Sequence, residues 1–143
     1  MSRAEAGFLL VRTGSRRVGL ELVHVIEVIQ IGPVHPVPSR EPAVRGVTVL
    51  HGRIVPVVHL GALLDIAECP ATVGDLVVVV TVDGRRVGLE IDDAEVVVRE
   101  PVLSVPPGAT FPWAIGVARH PEGLVPLLDL AALSARFMEA SSA

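Results

Sequence analysis

The chain is poor in aromatic and sulfur-containing side chains. Only 3% of its 143 residues are aromatic, tyrosine is absent, and the one cysteine is Cys69. A lone cysteine excludes an internal disulfide and a metal cluster held by several thiolates. Lysine is absent too and the net charge is −4, whereas binding to a phosphate backbone needs clustered cations. We therefore expect no nucleic-acid partner.

Long apolar runs are also missing. The densest stretch, Leu76 to Val80, has the length of a strand and falls far short of the roughly 18 residues that cross a bilayer. The first residues, Met1 to Gly7, lack the apolar core of a signal peptide. These features predict a cytoplasmic protein that does not itself insert into a membrane.

Hydrophobic residues nevertheless make up 50% of the chain, and valine is the most frequent of them. The branched Cβ of valine favours strands over helices. A chain of 143 residues suits one ordinary domain and is too short for two independent ones. The composition therefore predicts a single domain rich in β-structure.

Two segments of the sequence recur in the same order. The hexapeptide Arg16 to Glu21 returns unchanged as Arg85 to Glu90, at an offset of 69 residues. A looser echo links Gly46 to Leu60 with Gly116 to Leu130, at an offset of 70. One frame nearly aligns both halves, which indicates two copies of one unit that bury their apolar faces against each other. We expect a single domain over 7–138, with one lobe at about 7–68 and the other at about 74–138.

Turn signals divide the chain into many short strands. Gly14-Ser15 and Asp83-Gly84 each separate two apolar segments, as in a β-hairpin. The prolines between positions 33 and 42 predict a loop, because proline cannot donate to a ladder. With the duplication, this spacing predicts two small β-barrels packed together.

Three segments have less uniform signals. Residues 23–31 have a mixed hydrophobic period that fits either a short helix or a strand. A helix is predicted over Leu130 to Met138, with the carboxylate of Asp129 as its cap. Trp113, the only tryptophan, either anchors the preceding proline-rich loop to the core or marks an interface.

Taken in order, these motifs resemble the CheW family of chemotaxis coupling proteins. The family pattern combines an aromatic-led strand, two apolar–glycine–apolar steps, a V-x-E-I element, a G-V-x-N-L-R-G turn and two stretches that end in D-L. In this sequence the motifs read Phe8 to Val11, Val18 to Glu21, Val25 to Val28, Gly46 to Gly52, Pro56 to Leu60, Val87 to Asp92, Gly116-Val117 and Leu127 to Leu130. The ordered set is specific and covers roughly Gly7 to Phe137.

The resemblance implies both a fold and a function. The fold is all-β: two small SH3-like five-stranded β-barrels related by duplication, with a few short helices and a C-terminal helix. The function is that of a non-enzymatic adaptor without cofactor or metal. Such an adaptor links the cytoplasmic tip of a methyl-accepting chemoreceptor to the regulatory domain of a CheA-type histidine kinase. It is cytoplasmic and lies at membrane-associated receptor arrays through these partners.

The resemblance also assigns two sets of surface residues by position. The receptor-binding residues are expected to be Val25, Glu27, Val28, Gly46, Leu50 and His51. The kinase-binding residues are expected on the strand that opens the second copy, at Leu76, Val77 and Val78. Both sets would contact protein partners and carry no chemistry.

Three residues depart from the family pattern. Val49 stands where the family has Asn, His51 where it has Arg, and His59 where it has Asp. Arginine would supply a permanent charge and a rigid fork of donors, which histidine at pH 7 does not. Either the chain serves a divergent array with matching receptors, or it has lost one contact.

The repeated hexapeptide places charged residues at equivalent positions in the two halves of the chain. Glu21 and Glu90 occupy equivalent positions, but the alternating strand pattern predicts that both face solvent rather than act as an acid–base pair. Arg16-Arg17 and Arg85-Arg86 follow tight turns and are expected to be solvated hairpin ends. The repetition reflects duplication and does not by itself indicate a site.

Two functions of other kinds compete with a chemotaxis adaptor. One is an adaptor of a non-flagellar pathway, such as twitching or developmental signalling, which would use the same contacts. The other is a β-barrel sensor for a small ligand, which would need a roomy apolar cavity. An enzyme is the weakest alternative, because the sequence has no nucleophile elbow, phosphate-binding glycine loop or zinc-like histidine spacing.

Overall fold

The structure is a computed structural model, which describes residues 6–64, 76–105 and 113–141. Cys69 lies outside these ranges. The elements in chain order are β1 (Ala6–Thr13), β2 (Arg16–Glu21), a 3-10 turn (Leu22–His24), β3 (Val25–Gln30), β4 (Val44–Leu50), β5 (Arg53–His59), α1 (Leu60–Leu63), β6 (Leu76–Val82), β7 (Arg85–Glu90), β8 (Asp93–Glu100), β9 (Ala114–His120), β10 (Gly123–Leu128) and α2 (Leu130–Ser141). Both predicted hairpins and the predicted C-terminal helix are therefore confirmed.

The strands form two five-stranded sheets of corresponding order. Sheet A has the order β8-β1-β2-β10-β9, and sheet B has the order β3-β6-β7-β5-β4. In the sequence repeat β1 and β2 correspond to β6 and β7, and β8, β9 and β10 correspond to β3, β4 and β5. Each strand of sheet A therefore has its counterpart at the same place in sheet B. The all-β prediction, with five strands in each unit and few helices, is confirmed.

Each sheet contains strands from both halves of the chain. Hairpin β1–β2 comes from the first half but lies in sheet A with β8, β9 and β10, and hairpin β6–β7 lies in sheet B with β3, β4 and β5. The predicted lobes at about 7–68 and 74–138 therefore do not coincide with the sheets. The bounds follow the sequence repeat, whereas each sheet combines both copies, because each copy's hairpin pairs with strands of the other copy.

A short parallel pairing joins each exchanged hairpin to its sheet. β2 pairs with β10 at Gly19 and Leu127, and β7 pairs with β5 at residues that include Gly88 and Val57. A Cβ atom on Gly19 would lie 2.5 Å from a methyl group of Leu127, whereas one on Gly88 would meet no atom closer than 3.7 Å. The joint in sheet A is therefore the tighter of the two, and a side chain at position 19 would have to displace the methyl group of Leu127.

The main core lies between the two sheets and buries side chains of both. Sheet A contributes Leu9, Val11, Val18 and Leu20, sheet B contributes Val58, Val78, Val80, Val82, Val87 and Leu89, and the helical segments add Leu60, Leu63, Leu130 and Leu133. A second cluster contains Ile31, Leu50, Val55, Val57, Val77 and Val79, and a third contains Phe8, Ala118 and Leu127. The valine run of β6 alternates between the first two clusters, which explains why it is continuous rather than amphipathic.

The connecting segments resolve the ambiguous patterns. The segment 23–31 is neither one helix nor one strand, because the 3-10 turn Leu22–His24 precedes strand β3. Asp129 caps α2 as predicted, since its Oδ1 accepts a hydrogen bond from the Ala132 N–H at 3.1 Å. Trp113 is partly buried and packs against the main core.

The joint between β2 and β10 can be tested by substitution. Gly19→Ala should lower the free energy of unfolding by about 1–3 kcal/mol, because the new methyl group displaces the fully buried Leu127 side chain. Gly88→Ala is the matched control at the equivalent position and should change stability by less than about 1 kcal/mol. Urea unfolding of both variants measures the difference. Equal effects would contradict the asymmetry of the two joints.

Candidate functional site

A hydrogen bond joins two residues of the predicted receptor surface. His51 Nε2 donates to Glu27 Oε2 at 2.8 Å, since a carboxylate can only accept. Glu27 lies on β3, and His51 lies in the turn after β4 with a positive φ of 50°. β3 and β4 are the two edges of sheet B. The bond between them therefore shows that sheet B curls until its edges approach each other.

Exposed aliphatic side chains lie on the same strand and hairpin as this polar pair. Ile26 and Val28 on β3 are 42% and 40% exposed, and Val49 and Ile54, which pair across β4 and β5, are 63% and 73% exposed. Clustered exposed apolar residues commonly mark protein-binding surfaces. We call the set the β3–hairpin surface, and its members are Ile26, Glu27, Val28, Val49, His51 and Ile54.

Sequence reasoning assigned only half of this surface. It missed Ile26 and Ile54, and it treated Val49 only as a departure from the family pattern. Two signals were available in the sequence. Ile26 lies two residues before the predicted Val28, on a strand whose alternate residues share a face. Ile54 stands opposite Val49 across the hairpin.

The other predicted receptor residues lie beneath this surface rather than on it. Val25 is half-buried against the main core, and Leu50 is buried in the second cluster. Gly46 is buried where the loop residue His35 pairs with Val47 through two backbone hydrogen bonds of 2.7 and 2.9 Å. A Cβ atom on Gly46 would overlap the His35 carbonyl oxygen. These three residues support the surface, and a direct contact with a receptor stays a prediction.

The predicted kinase-binding strand does not form a surface. Val77 and Val78 are fully buried, and Leu76 packs against the main core. β6 pairs with β3 on one side and with β7 on the other, so neither its edges nor its valines can meet a partner. Val77 and Val78 are therefore not available to a partner, because both faces of β6 are buried, whereas a contact of the half-buried Leu76 with the kinase stays a prediction.

The prediction that Glu90 faces solvent is also wrong. Glu90 is only 3% exposed, and its Oε1 lies 3.2 Å from Arg45 Nε without the alignment of a hydrogen bond. Burial raises the pKa of Glu90, and the charge of Arg45 opposes that rise. Glu21, at the equivalent position, is half-buried. The two identical hexapeptides therefore place their carboxylates in different surroundings.

Arg17 is not the solvated hairpin end that was predicted. Its Nε donates to Glu95 at 2.7 Å and its Nη1 donates to Glu122 at 2.8 Å. The hydrogen bond from Arg17 lowers the pKa of Glu122. By the repeat offset, the counterparts of Glu95 and Glu122 in sheet B are Ile26 and Gly52. Sheet A therefore presents an ionic trio where sheet B presents the β3–hairpin surface.

Within the part of the chain that the structure describes, no group of three or more His, Cys, Asp or Glu side chains could hold a metal ion. No helix in the same ranges is long and apolar enough to cross a membrane. The chemistry that the described residues do offer is recognition, through exposed aliphatic groups around one polar pair.

The two five-stranded sheets define a small all-β fold with an exposed surface on sheet B, and comparison with known proteins identifies its family. The CheW-like domain matches residues 7–137, so the chain belongs to the CheW-like domain family, whose members are non-enzymatic scaffolds of chemotaxis signalling. The crystal structure of the scaffolding protein TtCheW from Thermoanaerobacter tengcongensis has the same fold, with a TM-score of 0.80 at 20% identity over 90% of this chain and 92% of that one. No curated protein sequence matches significantly.

A substitution at Gly46 tests whether this residue supports the fold beneath the β3–hairpin surface. Gly46→Ala should destabilise the chain by roughly 3 kcal/mol, because the methyl group meets the backbone of His35 and the φ of 145° is unfavourable for alanine. Gly52→Ala is the control, since its φ is also positive but its surroundings are open. It should cost only about 1 kcal/mol. Urea unfolding compares them, and a stable Gly46→Ala variant would refute the supporting role.

Proposed function

We propose that the chain is a cytoplasmic adaptor that couples the tips of chemoreceptors to a CheA-type histidine kinase at receptor arrays. The β3–hairpin surface is the observation that supports this proposal. It contains Glu27, Val28 and His51, which the family resemblance assigns to receptor binding, and it adds exposed aliphatic residues around them. An amphipathic helix docks on such a surface through its apolar stripe, and a receptor tip is a helical hairpin.

The way the sheets are built suits a coupling role. Strands of both halves contribute to each sheet, and the main core lies between the sheets. A surface on one sheet therefore keeps its position relative to a surface on the other. A kinase and a receptor bound at the same time would be held in a fixed relation, so that a conformational bias of the receptor shifts the kinase between activity states. No reaction on this chain is needed.

Binding to the kinase is the first test. Calorimetric titration of the chain with the regulatory domain of a CheA-type kinase from the same cell should show saturable one-to-one binding, with a dissociation constant of about 1 μM or below. The Ile54→Thr variant should bind the kinase equally well, because it alters only the β3–hairpin surface. No binding to any such kinase would contradict the proposal and would favour the ligand-sensor alternative.

His51 provides a test of the receptor surface. His51→Arg adds a permanent charge beside Glu27 and should weaken binding of the cognate receptor tip by roughly fivefold, or about 1 kcal/mol, while kinase affinity is unchanged. The reason is that a receptor matched to a histidine has no partner for the added charge. His120→Arg, at the end of β9 in the equivalent hairpin of sheet A, is the matched control. Equal loss of receptor and kinase affinity in His51→Arg would mean that the turn is structural.

A further inference from the structure

His59 ends β5 and caps the helix that follows. Its Nδ1 accepts a hydrogen bond from the Ala62 N–H at 3.1 Å. An imidazole nitrogen that accepts carries no proton, so the neutral ring holds its hydrogen on Nε2. His59 is only 5% exposed, and this Nε2 makes no hydrogen bond within the described residues. The ring is therefore held in one tautomer in a buried place.

Charged groups on the neighbouring strands surround this ring. Glu90 is the register partner of His59 where β7 runs parallel to β5. Arg45 reaches Glu90 from β4, on the other side of β5, at 3.2 Å. Asp92, just after β7, acts on His59 through its charge and accepts from the Gly14 N–H at 2.7 Å. His59 thus lies beside the Arg45–Glu90 ion pair, where β5 pairs with β7.

The second copy of the unit holds a different residue at the same place. Asp129 is the counterpart of His59 in the repeat, and its Oδ1 caps α2 by accepting from Ala132 at 3.1 Å. A carboxylate remains an acceptor at neutral pH, whereas an imidazole loses its acceptor when it binds a proton. The chain therefore contains one helix cap that protonation removes, at His59, and an equivalent cap, at Asp129, with which it can be compared.

We propose that His59 is a proton-sensitive latch at the end of β5, which holds the first turn of α1 through its side chain. A proton taken from solvent binds Nδ1, so the ring can no longer accept from the Ala62 N–H, and α1 loses its cap. The same proton creates a second cation beside Arg45 at a buried position, which is unfavourable. Protonation of His59 in the folded chain therefore loosens α1. This latch does not depend on the adaptor function.

The direction of the pKa shift of His59 determines how its contribution to folding stability changes with pH. Burial lowers the pKa of His59, the charge of Arg45 lowers it further, and Asp92 opposes both. A lowered pKa means that the unfolded chain binds the proton first, so the contribution of His59 is complete above its ordinary value of 6.5 and is lost as pH falls below that value. Glu90 acts in the opposite sense, because its raised pKa favours folding in acid. A substitution at His59 alone is therefore needed to separate the two.

Urea unfolding of the full chain between about pH 8 and about pH 5 tests the latch. His59→Asn keeps an acceptor at the cap but does not titrate. The unfolding equilibrium constant of the wild type should rise relative to that of His59→Asn on acidification, by up to about thirtyfold at pH 5. Asp129→Asn is the matched control in the second copy and should run parallel to the wild type over this range. Parallel curves for wild type and His59→Asn would refute the proposal.

A measurement on the wild type covers the case in which His59→Asn does not fold. An NMR titration follows the His59 ring together with hydrogen exchange of the Ala62 amide. The ring should stay neutral below its ordinary range, and the Ala62 amide should lose protection as the ring becomes protonated. A ring that titrates with no change at Ala62, or an Ala62 amide unprotected at neutral pH, would overturn the latch.

Discussion

The fold depends on the exchange of hairpins between its two copies. β2 completes sheet A by a parallel pairing with β10, and β7 completes sheet B by the equivalent pairing with β5. Without these joints each sheet would split into a three-stranded piece and a two-stranded hairpin, and an isolated hairpin is marginal on its own in water. The main core also draws on both sheets. Neither half of the chain can therefore bury its apolar residues alone.

The exchange also determines which residues are free to bind. It places β6 inside sheet B, between β3 and β7, and leaves β3 and β4 at the edges, where Glu27 and His51 meet. Equivalent positions then diverged: sheet A holds the ionic trio around Arg17, whereas sheet B exposes aliphatic residues around one polar pair. A duplicated fold thus carries two unlike faces.

Local features of the fold were predictable from the sequence, whereas contacts between distant segments were not. Turn residues and the repeat predicted both hairpins, the two units and the cap at Asp129, because these depend on neighbouring residues. The exchange of hairpins could not be predicted, since identical hexapeptides give no preference for either sheet. For the same reason Glu90 was placed in solvent like Glu21. Glu27 and His51 were assigned by resemblance, but only the curl of sheet B shows that they touch.

The central claim is that this chain joins a receptor to a kinase. The most direct test is co-sedimentation of the CheA-type kinase with membranes that carry the cognate receptor, with and without the purified chain. We expect the kinase to sediment with the membranes only when the chain is present, and to stay in the supernatant when it is omitted. Equal sedimentation of the kinase in both cases would contradict the coupling role.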